Sequence, residues 1–211
     1  MPVSIRKGIQ AAGWWLAALA TLVATAIWIG SGPPLFDREG LILANAWRSP
    51  WLDAAFLSLT WMGSLMVLLP LVLVASILLW RRGHHGEARF LIVALAGASL
   101  LVQLAKHIAL RQRPDLFAAL MSVASPLSFP SAHAVQVTAI AISTLVVVAR
   151  LAPRCCYWAA PALVSVMLLV GFSRIYLQVH FPSDVLAGSI ATGFWVAGLH
   201  ALTLTREPAA D

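Results

Sequence analysis

Apolar residues run along this chain in six long stretches separated by short polar breaks. The stretches cover about 11–29, 54–80, 90–110, 134–149, 157–172 and 185–204. Most are close to the roughly 20 residues that an α-helix needs to cross the hydrocarbon core of a bilayer. A backbone amide in lipid finds no water, so a spanning segment satisfies its own hydrogen bonds as a helix. The pattern therefore predicts an all-α, polytopic membrane protein, with one six-transmembrane-helix bundle occupying residues 1–211 as a single membrane domain. No repeat of clear period and no low-complexity tract interrupts it.

The breaks carry their own signals. Arg6 and Lys7 precede the first run, and Trp14 and Trp15 stand where an interfacial aromatic belt would sit. A cleaved signal peptide is the rival reading, but the run is long for one, which favours a retained helix. Gly30-Ser31-Gly32-Pro33-Pro34 ends that helix. Residues 35–53 mix Leu35, Phe36, Leu41 and Ile42 with Asp37, Arg38, Glu39 and Arg48, a pattern that suits a short helix in the interface or a plain connecting loop. Pro70 is expected to kink the second span. His84, His85 and Glu87 offer metal-ligand types, though a solvated basic loop is the commoner outcome for such a stretch.

Composition agrees with the pattern. Hydrophobic residues make up 61% of the chain and charged ones 10%, which excludes an ordinary soluble domain. The net charge of +6 comes from dispersed Lys and Arg residues and forms no aromatic-interleaved patch, so nucleic acid is not an expected partner. Cys155 and Cys156 are adjacent, too strained a pair for a disulfide and without metal-ligand spacing. With six spans the termini share a face with the loops at 81–89 and 150–156, and that face holds the larger share of the basic residues. The positive-inside rule then predicts cytoplasmic termini in the cell (inner) membrane and places the other face on the periplasmic or extracellular side.

Three polar clusters fall on that other face: Lys106 to Pro114, Pro130-Ser131-Ala132-His133, and Ser173 to Asp184. The last is twelve residues long and holds Arg174, His180 and Asp184. A charge at membrane depth costs about 2.5–3.5 kcal/mol, so such residues are kept for a purpose. Lys106, Arg113 and Arg174 together suit a phosphate. Ser131 resembles the N-cap of the fourth span, whose free amides favour an anion. His180 and Asp184 are four apart, a reach that lets a carboxylate hold an imidazole in one tautomer. A neutral His so held can attack phosphorus, and a second His can protonate the departing oxygen. Each residue also has a structural alternative: Lys106 snorkelling, Arg113 and Arg174 anchoring headgroups, either His simply hydrogen-bonded, Asp184 only starting a helix. His107 and Arg111 receive no part in the site from their spacing, and His200 reads as a packed or helix-end residue.

Taken together, Lys106…Arg113-Pro114, Pro130-Ser131-Ala132-His133 and Ser173-Arg174…His180…Asp184 resemble the type 2 phosphatidic acid phosphatase (PAP2) superfamily, membrane lipid phosphatases related to the vanadium haloperoxidases. All spacings of that pattern hold, and Ala132 stands where the family usually has Gly. The resemblance implies a haloperoxidase-like core with His180 as nucleophile through a phosphohistidine, Asp184 as its orienting partner and His133 as general acid. It implies that Lys106, Arg113, Ser131, Ala132 and Arg174 bind the phosphoryl group, with no metal and no cofactor. The implied partner is a lipid phosphate in the bilayer: undecaprenyl diphosphate, phosphatidylglycerophosphate or phosphatidate. A lipid phosphotransferase using the same site and a non-catalytic headgroup carrier are the alternatives.

Overall fold

The computed structural model describes residues 2–30 and 32–203, so Ser31, Leu204 and Arg206 lie outside the described residues. Eight α-helices appear among them: α1 (Val3–Ile29), α2 (Leu35–Ala46), α3 (Pro50–Leu59), α4 (Leu65–Arg81), α5 (His85–Ala109), α6 (Ala132–Leu151), α7 (Cys156–Tyr176) and α8 (Pro182–Thr203). Five of them are long and apolar enough to cross a membrane, and α3 with α4 makes a sixth, broken span.

That second span differs from its sequence expectation. The 44° bend falls not at Pro70, which sits within continuous α4, but at a 3-10 turn, Thr60–Gly63, followed by Ser64. Ser64 caps α4, its hydroxyl accepting from the Met66 amide at 3.3 Å. Gly63 lets the turn press against the bundle, since a Cβ there would lie 2.5 Å from Val170 Cγ1 and 3.2 Å from His133 Cβ. The segment at 35–53 resolves into α2 and the start of α3. Other spans outrun their apolar stretches: α1 begins at Val3, α5 begins at His85, α7 runs on to Tyr176, and α8 begins at Pro182. Helices in a bundle continue past the hydrophobic run wherever polar side chains find partners inside the protein.

The basic loop at 81–89 is mostly helical. Glu87 pairs with Arg150 at 3.1 Å and the His85 ring lies 4.3 Å from that of Trp80, so this group is occupied by packing rather than assembled as a ligand set. Trp15 stacks on Trp195 at 5.6 Å, and Trp14, which stays exposed, stacks on Phe194 at 5.8 Å. These contacts seat α1 along α8.

The bundle is inverted relative to a soluble protein. Met66, Ile108, Leu168 and other large apolar side chains face outward, as lipid-facing positions do, while Asp37, Lys106, Arg174, His180 and Asp184 are buried. The apolar core joins α4, α5, α6 and α8 through Leu68, Val72, Phe90, Leu95, Val135 and Val196. Close approach of α5 and α8 depends on Gly97, where a Cβ would collide with the Trp195 ring. That indole is pinned by its bond to the Ala94 carbonyl, at 3.2 Å. Gly97→Val should therefore displace Trp195 and destabilise the bundle by about 1–3 kcal/mol. Thermal unfolding in detergent checks this, and an unchanged Tm would mean that the two helices do not depend on this contact.

Candidate active site

Four chain ends meet at one end of the bundle: the last turns of α5 and α7 and the first turns of α6 and α8. Backbone bonds weld them. The Ser131 amide donates to the Asp184 carbonyl at 3.2 Å, and the Leu120 amide to the Leu177 carbonyl at 3.1 Å. The intervening loop is shaped by Ser128, whose amide donates to the Arg111 carbonyl at 2.8 Å and whose hydroxyl donates to the Gln112 carbonyl at 2.9 Å. α5 ends on Leu110 in the left-handed region (φ 49°), which turns the chain back across the bundle. The same device recurs at Gln178 (φ 59°), between Arg174 and His180.

The three expected cations are all brought here. Lys106 Nζ donates to the Leu127 carbonyl at 2.6 Å. Arg113 donates through Nε to the Ser125 carbonyl at 2.7 Å and through one terminal nitrogen to the Val179 carbonyl at 2.5 Å. The same terminal nitrogen lies 3.1 Å from His180 Nε2. Arg174 donates to Thr60 Oγ1 at 2.6 Å and approaches Met121 Sδ at 3.3 Å. The break in the second span thus delivers a hydroxyl that steadies Arg174, a contact that the apolar pattern alone did not reveal.

His180 is almost fully buried. A guanidinium only donates, so Nε2 facing Arg113 carries the lone pair and the ring proton sits on Nδ1. Nδ1 lies 3.4 Å from Asp184 Oδ2, an ionic distance longer than a good hydrogen bond. Burial, and after it the positive charges of Arg174, Arg113 and Lys106, hold the imidazole well below its ordinary pKa, so the ring is neutral.

Asp184 does two jobs at once. Its Oδ2 accepts from the Phe181 amide at 2.9 Å, the back-reaching half of a capping box at the start of α8. Its Oδ1 accepts from Arg111 at 2.6 Å. The helix-start alternative and the imidazole-facing one are therefore both realised. His133 stands in the first turn of α6, half-buried and within electrostatic reach of Arg174, His180 and Arg113.

Ser131 occupies the N-cap position of α6, but its hydroxyl makes no capping bond. Ser131 Oγ and Arg174 Nε are both buried and without a partner among the described residues. Buried polar atoms are ordinarily paired, so two unpaired donors beside the free amides of a helix N-terminus mark a place built for an anion. Ala132 opens α6 and is not among the residues with positive φ, so its methyl group imposes no backbone strain where the family has Gly.

Sequence reasoning missed two further members of this region. Arg111, given no part by its spacing, contacts Asp37, Ser183 and Asp184, and its guanidinium carbon stands 3.9 Å over the Phe181 ring. Asp37, placed on an interfacial segment, is wholly buried. The available signal was an acidic residue inside an otherwise amphipathic stretch, with an Arg two positions before the Arg-Pro motif. His107 is exposed and takes no part.

Comparison with known proteins agrees with this geometry. The PAP2 superfamily matches residues 87–208, a span that includes every site residue above except Asp37 and Thr60. The chain is 32% identical over 149 residues to phosphatidylglycerophosphatase B of Bacillus subtilis, covering 67% of this chain and 70% of that protein. It is 38% identical over 134 residues to decaprenylphosphoryl-5-phosphoribose phosphatase of Mycobacterium tuberculosis, covering 61% of this chain and 67% of that one. Among solved structures, the PAP2-type phosphatidylglycerolphosphate phosphatase of B. subtilis superposes with a TM-score of 0.73 at 24% identity, over 91% of this chain and 94% of that one. LpxE of Aquifex aeolicus superposes with a TM-score of 0.61 at 27% identity, over 79% and 94%. The lysine, arginines, histidines and aspartate gathered at the end of this bundle thus lie within a matched stretch that covers more than half of the chain, and the protein belongs to the PAP2 superfamily as a multi-pass membrane phosphatase.

Proposed function

We propose that this protein hydrolyses a lipid phosphate without a metal ion, through a phosphohistidine on His180. The observation that carries the reading is the lone pair of His180 Nε2 directed at Arg113, inside a ring of cations whose Ser131 and Arg174 donors are unpaired. In the attacking complex, the Arg113 guanidinium transfers its bond from Nε2 to a phosphoryl oxygen. Lys106, Arg174, Ser131 and the Ala132 amide hold the others. The Nε2 lone pair then forms the N–P bond as the P–O bond to the lipid breaks, and the lipid oxygen takes the proton of His133. Water next attacks phosphorus with His133 as base, the N–P bond breaks, and phosphate leaves. Asp184 keeps the Nδ1 proton in place and stabilises the charge that the ring acquires.

Charge supports a phosphomonoester. Lys106, Arg111, Arg113 and Arg174 bring four positive charges, and Asp37 and Asp184 two negative ones, leaving a net +2 that a phosphomonoester dianion neutralises. Phosphatidylglycerophosphate, phosphatidate and decaprenylphosphoryl-5-phosphoribose fit this chemistry, and undecaprenyl diphosphate offers a terminal phosphate of similar charge. The matching ends of α5 to α8 are assigned to the periplasmic face of the inner membrane, with the α6–α7 turn in the cytoplasm.

Release of inorganic phosphate from these lipids by purified protein should persist in EDTA and fall by at least about 10³-fold in His180→Ala. Binding without release in the wild type would instead identify a headgroup carrier. His133→Ala should reduce turnover of lipid phosphates by about 10²–10⁴-fold while sparing activated aryl phosphates, which leave without a proton; equal loss on both would remove His133 as the acid. For orientation, Cys155 is exposed at the α6–α7 turn. A membrane-impermeant maleimide should label it in inverted vesicles and not in intact spheroplasts; the reverse pattern would place the site in the cytoplasm.

A further inference from the structure

Arg111 is bound on every side by groups that are not part of the phosphoryl pocket. One terminal nitrogen donates to Asp184 Oδ1 at 2.6 Å and Ser183 Oγ at 2.8 Å, and the other to Asp37 Oδ2 at 2.6 Å. Asp37 in turn accepts from the Ser183 amide at 2.8 Å and the Ser183 hydroxyl at 2.6 Å. Both carboxylates are completely buried. α2 is seated beside this network by Gly40, where a Cβ would lie 2.5 Å from Pro182 Cγ, and by the Gln178 side chain, which donates to the Leu41 carbonyl at 3.1 Å. The first turn of α8 is therefore gripped from α2 in two ways, Ser183 directly by Asp37 and Asp184 through the Arg111 guanidinium.

We propose that Asp37 and Arg111 form a positioning relay that fixes the Asp184 carboxylate, and through it the ring of His180, so that α2 is a working part of the active site. The inference rests on the reading of His180 as nucleophile. Without Arg111, Oδ1 of Asp184 loses its anchor and the carboxylate is held through Oδ2 by the Phe181 amide but no longer from both oxygens, so its plane opposite Nδ1 is less tightly fixed. Asp37 does the same for Arg111: it is the counter-charge that sets the plane of the guanidinium. Neither residue contacts the phosphoryl group, so the relay governs how well the nucleophile is aimed and not how tightly phosphate is held.

A double-mutant cycle tests this in full-length protein purified in detergent. Groups that orient a ligand or catalytic side chain from behind typically contribute 10–100-fold, so Arg111→Gln should lower kcat by roughly that factor and Asp37→Asn by about 10-fold. KM for the lipid and the inhibition constant of inorganic phosphate should stay within about 3-fold of wild type, because the pocket itself is untouched. In an Asp184→Asn background, Arg111→Gln should reduce kcat by less than about 3-fold more, since its effect passes through Asp184. Additive losses, or a loss of phosphate affinity equal to the loss of kcat, would overturn the relay and leave Arg111 as bundle packing or a phosphate ligand. Arg111→Gln leaves two carboxylates buried together and can misfold; Arg111→Lys keeps the charge but not the two-sided grip. It should fold, judged by its melting temperature, and still lose kcat by about 10-fold; full activity in this variant would also refute the relay. Failure of the His180 reading is separable, since it would appear as phosphate release surviving in His180→Ala whatever Arg111 does.

Discussion

Positive charge buried in excess at one end of an apolar bundle is the constraint on which this structure depends. An isolated ion taken from water into a low-dielectric interior is penalised by several kcal/mol even after relaxation. The chain meets that penalty with carbonyls: Lys106 takes that of Leu127, and Arg113 takes those of Ser125 and Val179. These carbonyls come from non-helical chain, the loop after α5 and the turn after α7, where oxygens are not already committed to a helical ladder. The irregular segments around the site are thus required by the cations, and the left-handed residues Leu110 and Gln178 are the points at which the backbone leaves helix to supply those oxygens.

Carbonyls solvate a cation without neutralising it, and that difference separates binding from stability. The two carboxylates buried at this end of the bundle, Asp37 and Asp184, are both engaged with Arg111, so Lys106, Arg113 and Arg174 keep their charge available. Were Asp184 paired directly with one of those three, the site would lose part of its attraction for a phosphate. Arg111 acts as a spacer: it satisfies the carboxylate that faces His180, and Lys106, Arg113 and Arg174 form no ion pair with it. Buried charge pairs of this sort add little to stability by themselves, and their use is to fix one arrangement among several.

The all-α fold was legible because lipid enforces a simple rule, and five of the spans appear where the apolar runs indicate, most of them longer than the runs themselves. The second span was read less well. A 3-10 turn at Thr60–Gly63 is invisible to hydropathy, since Trp61 and Met62 are as apolar as their neighbours; Gly63 with Ser64 was the local sign of a stop and a new cap. Pro70 drew attention instead, although a proline in a membrane helix can remain within a continuous helix, as here in α4. The site was legible for a different reason. Its cations and imidazoles are charged or polar types in a chain with few of them, and the fixed spacings carried the resemblance. Arg111 and Asp37 escaped because their partners are 73 and 146 residues away in sequence, and only folding brings them together.

The division between what was legible and what was not follows the division of labour in the site. Groups that touch the phosphoryl position must be of particular types at particular places on helix ends, so they recur as motifs. Groups that hold those in place need only supply a charge or a hydroxyl at the right point in space, from whichever element passes nearby. Thr60 steadies Arg174 from the broken span, and Asp37 steadies Arg111 from α2. Both supporting residues lie outside the stretch matched by the family. On the mechanism proposed above, a change in how α2 or the break near Thr60 is seated would reach His180 without altering any residue of the motifs.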